Sequence, residues 1–304
     1  MKQQRGVAVI TAVLIVAVAA SAATLMLAQQ SAMLDQTALV SARAQADLFA
    51  RAGIDWSRGI LLQDMATSSL YDGLDESWAQ PLAGMPVERA VVSGAITDEQ
   101  GKFNLNNLVQ NNVRSDADMK VFQRLLVSLN LSPDLADAVL DWIDADNAIT
   151  GSGGAEDAYY LSLAKPYRAA NAPMIQVEEL YRIRGFDAPT VAKLRPYVTA
   201  LKDHTAININ TASDLVLIAL MPDVPRDKIE NAIAMRKTRP FKTPQMVTAL
   251  DSHAANYMGT SLDVKSAYFS TVVAVTQDDV QLATDALLVR AQGQVNIVWL
   301  RPRF

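Results

Sequence analysis

The sequence holds no cysteine and only two histidines, His204 and His253, in 304 residues. Structural disulfides, thiol nucleophiles and thiolate metal sites are thereby excluded, and so little imidazole gives no basis for a zinc centre or a Ser-His-Asp hydrolase. No phosphate-binding loop of the G-x-x-x-x-G-K type occurs either. Positive charge is scarce. Lys and Arg total 27 against 32 Asp and Glu, a formal charge of −5 with a pI of about 5.1, which gives no general pull toward nucleic acid. Apolar sequence is plentiful: half the residues are hydrophobic and 19% charged, with a mean hydropathy of +0.11. That composition is not one of a disordered chain, and the length suits one fold or two modest domains.

The apolar excess lies at the start. Val7 to Ala28 runs 22 residues without a charge, matching the ~20 that span a bilayer core. Thr11, Ser21 and Thr24 can hydrogen-bond back to their own helix. Lys2 and Arg5 precede the run, an arrangement that keeps the N-terminus cytoplasmic and exports the rest. A secretory signal peptide is the competing reading, because Ala20-Ser21-Ala22 supplies a small-x-small cleavage pattern. Against it, the run is longer than an ordinary signal core and helix-forming sequence continues through the cut. Leu39, Ala42, Ala46, Phe49, Gly53, Trp56 and Ile60 recur at helical spacing. One helix from Val7 to Leu62 would be roughly 80 Å long.

These residues carry a resemblance. A short basic leader ending in glycine (MKQQRG), an uncharged helix running into an amphipathic stem, and the later run DEQGKFNLNNL together resemble the K-type minor pseudopilins of the type II secretion system. Pilins carry Glu five residues into the mature chain; that position is Thr11 here, a departure that marks the K-type subclass. The resemblance implies that prepilin peptidase cuts between Gly6 and Val7 and that the new N-terminus is methylated. It implies a non-enzymatic subunit of the inner membrane with its bulk in the periplasm. Its implied partners are the I-type and J-type minor pseudopilins, with the H-type as a further candidate, and the major pseudopilin filament, which it starts and caps; nucleic acid is not among them.

The residues beyond the stem set the expected organisation. Gln63 to Pro86 reads as loop. Val87 to Ile96 and Lys102 to Leu105 read as a β-hairpin about Thr97 to Gly101, and strands return in Ala267 to Val275, Ala286 to Ala291 and Val295 to Leu300. Helical sequence fills the interval, with helix starts at Ser132-Pro133 and at a capping box from Thr211 to Asp214. The fold class expected is α+β: a long N-terminal transmembrane and stem helix packed on an antiparallel sheet that a large all-α domain interrupts. The expected segments are a leader at 1–6, a membrane helix at 7–28, a stem at 29–62, sheet-forming parts at 63–110 and 263–304, and the inserted domain at 111–262. Inside the insert, Glu179 to Leu194 and Leu215 to Ile233 each read as helix, tight turn, helix, resembling a helix-hairpin-helix pair. That motif suggests the alternative of a membrane-anchored or exported DNA-binding protein. Its hairpins, Gly185-Phe186-Asp187 and Asp223-Val224-Pro225, argue against it, because each carries an aspartate and Pro225 donates no N–H.

One constellation carries chemistry. Asp137, Asp141 and Asp144 follow one another at helical spacing, Asp146 and Asn147 extend past the helix end, and Gly151, Gly153 and Gly154 bend the chain before Glu156-Asp157. Gathered carboxylates raise one another's pKa, and oxygen-only ligands select a hard cation. A glycine-bent loop suits the 6 to 8 ligands of calcium better than the strict octahedron of magnesium. It is no EF-hand: counting from Asp144, the sixth position is Ile149 and the twelfth Ala155. A solvated acidic loop is the plain alternative, and a glycosidase pair is disfavoured because a mobile loop holds two carboxyls poorly. The family resemblance implies calcium, with Asp144, Asp146, Glu156 and Asp157 as ligands, Asp141 beside them, and a backbone carbonyl near Ile149 or Thr150 completing the shell.

Overall fold

The computed structural model describes residues 4–67 and 70–303, with side chains from Val7. Residues 1–3 of the expected leader, Lys2 among them, lie outside the described residues; Gly6 falls within the helix backbone.

Helix α1 spans Gln4–Thr67, 64 residues, or roughly 96 Å at 1.5 Å per residue. Among the described residues it is the one helix long and apolar enough to cross a membrane. Thr11, Ser21 and Thr24 each donate to the carbonyl four residues back, at 2.7, 2.8 and 2.8 Å. Val7 to Ser41 are all exposed, and burial begins at Ala42. From there Ala46, Ala50, Ile54, Ser57, Leu61 and Asp64 turn inward. The buried stripe is therefore rotated from the one expected: Leu39 is 55% and Trp56 51% exposed. Helix and sheet approach closely enough that a Cβ on Gly53 would lie 2.7 Å from a Val273 methyl. Small side chains, not the bulkiest apolar ones, fit that contact.

The helix packs on a five-stranded antiparallel sheet of order β1-β2-β9-β10-β11. Its strands are β1 (Leu82–Val87), β2 (Ala90–Asp98), β9 (Tyr268–Gln277), β10 (Val280–Ala291) and β11 (Gln294–Arg303). The three C-terminal strands lie in the expected region, with β10 beginning at Val280 rather than at Ala286. The first hairpin does not. Strand β2 pairs with β1 across a turn in which Glu88 has φ 53°, so Gln63 to Pro86 is not all loop. On its other side β2 meets β9, with Asp98 opposite Phe269. A 3-10 turn at Glu99–Gly101, held by the Asp98 carboxylate accepting from Gln100 N–H, then leads the chain out of the sheet. Phe103, Leu105 and Leu108 belong to the core of the helical domain. The helical segment thus leaves the sheet after Asp98, before the expected position 111, and returns at Tyr268 rather than at 263.

Between those points lie β3 (Phe103–Asn104), β4 (Val109–Gln110), β5 (Val113–Arg114), α2 (Asp116–Ser128), α3 (Leu135–Ile143), α4 (Asp157–Tyr160), α5 (Ala188–Leu194) and β6 (Val198–Thr199). A second group follows: β7 (Ile207–Asn208), α6 (Asp214–Leu220), α7 (Arg226–Arg236), α8 (Pro244–Thr248) and β8 (Leu262–Asp263). Two expected helix starts move. Helix α3 begins after Asp134, two residues beyond Ser132. Ser213 caps α6, while the Thr211 hydroxyl donates to Asp98 at 2.6 Å.

Two short parallel pairings in the domain share a hydrogen-bond pattern. β3 pairs in parallel with β6, and β7 pairs in parallel with β8. In the first unit Asn104 accepts from Asn106 N–H, and Asn106 both donates to and accepts from the Met174 backbone at 2.9 and 2.8 Å. In the second, Asn208 accepts from Asn210 N–H, and Asn210 does the same with the Phe241 backbone at 2.9 Å each. FNLNN and ININT are the matching sequences, each using a buried asparagine as a stand-in strand partner, so that backbone groups are satisfied without extending the ladder. The segment from Glu179 to Leu194 is a 3-10 turn at Val177–Arg182 followed by α5.

Candidate metal centre

Helix α3 is apolar on the face that enters the domain core, and its Asp137 and Asp141 lie one turn apart. Asp144 follows as the C-cap, with its N–H bonded to Leu140 O. The chain then loops through Asp146 and returns at Glu156, the N-cap of α4. Carboxylate oxygens of Asp144, Asp146 and Glu156 lie within 4.8 Å of one another. Asp144 Oδ1 and both oxygens of Glu156 are buried without a hydrogen-bond partner. Asp146 is exposed and accepts from Ala148 N–H at 2.7 Å. Asp141, fully buried, stands behind them with its carboxylate taking Thr150 N–H at 3.1 and 3.2 Å.

Two glycines make the wrap possible. Gly151 has φ +56°, and a Cβ there would lie 2.1 Å from Asp137 Oδ2. A Cβ on Gly154 would lie 2.2 Å from Thr150 O and 2.3 Å from Asp141 Oδ2. Outside the loop, Arg184 Nη1 holds Gly154 O at 2.8 Å, and Asn171 Nδ2 holds Asp146 O at 3.2 Å. Neither partner was legible in the acidic run itself, since both lie well beyond it in sequence. Behind the loop Trp142 meets Tyr160 edge-on at 5.3 Å. Asp157 does not join the cluster: its carboxylate takes Ala169 N–H at 3.1 Å and Arg168 at 3.3 Å. The structure therefore assembles three of the expected ligand residues, with Asp141 adjacent and Asp157 turned away.

The electrostatics suit a cation. Burial first, then Asp146 and Asp141, raise Asp144 from 3.8 to about 6. Burial and then Asp141, Asp144, Asp146 and Asp157 raise Glu156 from 4.5 to about 7. Asp141 is raised as well, chiefly by burial, against the Thr150 hydrogen bonds. Among the described residues no cationic side chain pairs with Asp144, Asp146 or Glu156. Unpartnered buried oxygens with no countercharge cost stability unless a proton or an oxygen-seeking metal neutralises them.

Two family models described as Type II secretion system (T2SS), protein K match residues 101–203 and 207–265, just over half of the chain. The type II secretion system protein K of Aeromonas hydrophila is 31% identical over 99% of this chain and 97% of its own length. That of Pseudomonas aeruginosa is 32% identical over 97% and 92%. The chain belongs to the type II secretion system protein K family. It is a minor pseudopilin of that system. Its fold matches a chain in the crystal structure of the GspK-GspI-GspJ complex from enterotoxigenic Escherichia coli, with a TM-score of 0.75 at 23% identity over 88% of this chain and 99% of that one. The family is a structural component of a secretion machine, and the DNA-binding alternative finds no support in these likenesses. Both hairpin aspartates have structural partners: Asp187 caps α5 through Thr190 N–H, and Asp223 accepts from the Tyr257 hydroxyl.

The raised carboxyls give the metal-free pseudopilin a distinct pH response. Folded values of about 6 and about 7 against ordinary carboxyl values near 4 mean that the folded chain keeps protons the unfolded chain releases. The stability these two groups contribute is then full below about pH 4 and is lost as pH rises through about 7. In chelator, the thermal midpoint of the full-length protein should fall over this range, and Glu156→Gln should flatten the fall; a wild-type midpoint rising with pH would contradict it.

Proposed function

We propose that this minor pseudopilin occupies the tip of the secretion pseudopilus, starting and capping it, with its helical domain organised by calcium. The N-terminal helix anchors it in the inner membrane as a single pass, with N-terminus cytoplasmic and bulk periplasmic, consistent with Lys2 and Arg5 before the uncharged run. Prepilin peptidase would cut between Gly6 and Val7. The named GspK-GspI-GspJ complex supports I-type and J-type partners; the H-type and the major filament follow from the same reading. The helix–turn–helix segments, including α6–α7, serve as packing scaffold in this account.

The observation that carries the tip assignment is Thr11. A filament-interior pilin uses its Glu to neutralise the amine of the subunit ahead, whereas the Thr11 hydroxyl is already bonded to Val7 O within its own helix. A subunit with nothing ahead of it needs no carboxylate there. Labelled antibody against the helical domain should decorate one end of assembled filaments, and labelling along their length would refute the assignment. Intact mass of the membrane-extracted protein should find Val7, methylated, as first residue; a soluble form beginning near Ala23 would show that signal peptidase acted instead.

Calcium would be held by Asp144, Asp146 and Glu156, with Asp141 positioning the loop through Thr150, and would supply the missing countercharge. At 100 times its dissociation constant a ligand stabilises by about 2.7 kcal/mol. Calcium added to the chelated full-length protein should raise the thermal midpoint, and Asp144→Ala with Glu156→Ala should abolish most of the rise. An unshifted wild type would leave only a solvated acidic loop.

A further inference from the structure

A second carboxylate cluster lies where the helical domain joins the body. Asp64, near the end of α1, and Asp72 and Glu76, in the segment that follows, are all buried with oxygens within 4.8 Å of one another. Arg290 of β10 reaches both aspartates: Nη2 lies 2.6 Å from Asp64 Oδ2, and Nη1 bonds Asp72 Oδ1. Its guanidinium stacks 4.5 Å over the Phe269 ring. Glu76 accepts from Gly73 N–H and the Trp78 indole, each at 2.9 Å.

Asp72 also grips the inserted domain. Its carboxylate accepts from Ser266 N–H at 2.8 Å, its N–H donates to Val264 O at 2.9 Å, and its carbonyl takes Asn208 Nδ2 at 2.9 Å. Asp98, at the point where the chain leaves β2, accepts from the Ser266 and Thr211 hydroxyls at 2.6 Å each. Stem helix, sheet and both ends of the insert therefore meet around Asp72.

We propose that this junction is a proton-sensitive latch: the buried carboxylates of Asp64 and Asp72 share the Arg290 guanidinium, so the inserted domain is held more firmly to the stem when one of the two is protonated than when both are ionised. Burial, then Glu76, raises Asp64 from 3.8 to about 6, with Arg290 pulling the other way. Burial raises Asp72 too, against Arg290 and the Ser266 hydrogen bond. The other titratable groups facing the cluster are Tyr71, pushed up to about 12 by burial and by Asp75, and Asp98, raised by burial to about 6. Lys242 lies over the Tyr71 ring at 5.5 Å. With folded values above unfolded ones, the stabilisation is full below about pH 4 and is lost as pH rises through about 6.

The test uses the full-length protein in detergent with calcium saturating, so that the acidic loop stays neutralised at every pH. The wild-type midpoint should fall between about pH 5 and about pH 8. Asp64→Asn keeps an oxygen for Arg290 while removing a charge; at about pH 8 it should melt about 2–4 °C above wild type and show a shallower slope, Asp72 and Asp98 keeping their share. A midpoint below wild type at that pH, or an unchanged slope, would overturn the latch. Amide-exchange protection in the wild type supplies a measurement that needs no variant: corrected for intrinsic rates, protection at Asp72 and Ser266 should drop from about pH 5 to about pH 8 while the centre of β10 holds. Equal protection at both pH values would also overturn it.

Discussion

Everything in this molecule depends on β2 and β9 lying side by side although residues 99–267 run between them. The ladder from Ala90 opposite Gln277 to Asp98 opposite Phe269 forms only if the insert returns its exit beside its entrance. Closing so long a segment as a flexible loop would cost entropy without reward. A folded domain with adjoining ends removes that cost. Gln100 performs the join directly, its side-chain oxygen accepting from Ala267 and Tyr268 N–H while its amide donates to Ala206 O. The asparagines at 104, 106, 208 and 210 serve the same constraint, because each ties its unit's entrance to chain that arrives much later. Polar groups are buried at the join for this reason, and carboxylates among them inherit a desolvation penalty.

Two places show that penalty and resolve it differently. At the junction Arg290 offsets part of the charge and the remainder is left to a proton. In the loop after α3 no cationic side chain pairs with Asp144, Asp146 or Glu156 among the described residues, and both Glu156 oxygens are buried without a hydrogen-bond partner. The proposed divalent ion would take the countercharge role at the second site, which at the first is filled by a guanidinium.

The long apolar N-terminal helix was legible because lack of charge over 22 residues is a strong signal, and the last three strands because their apolar residues are dense. The rotated stem stripe was not. Its alanines carry little hydrophobic signal, and only the close approach at Gly53 selects them over Trp56. Strand β1 is an edge with residues exposed on both faces, so Leu82 to Val87 show no alternation to read. The misplaced hairpin has a similar origin: Phe103 and Leu105 do alternate, but their partners are in the helical core. The acidic loop could be found from its composition, whereas the outward turn of Asp157 depends on Arg168 and Ala169 N–H, which composition does not place. Asp64, Asp72 and Glu76 all fall in the stretch that reads as loop, whereas α1 runs on to Thr67 and the fold buries the three together.

On the proposed reading, the loop carboxylates exchange protons for a divalent cation. Calorimetric titration of the full-length protein with calcium, in buffers of different ionisation enthalpy, counts the protons released on binding. At about pH 6 calcium should displace protons from Asp144 and Glu156, the count should fall toward zero at about pH 8, and Glu156→Gln should lower it at the acidic end. No binding heat at either pH, or a proton count that does not change between them, would contradict the account.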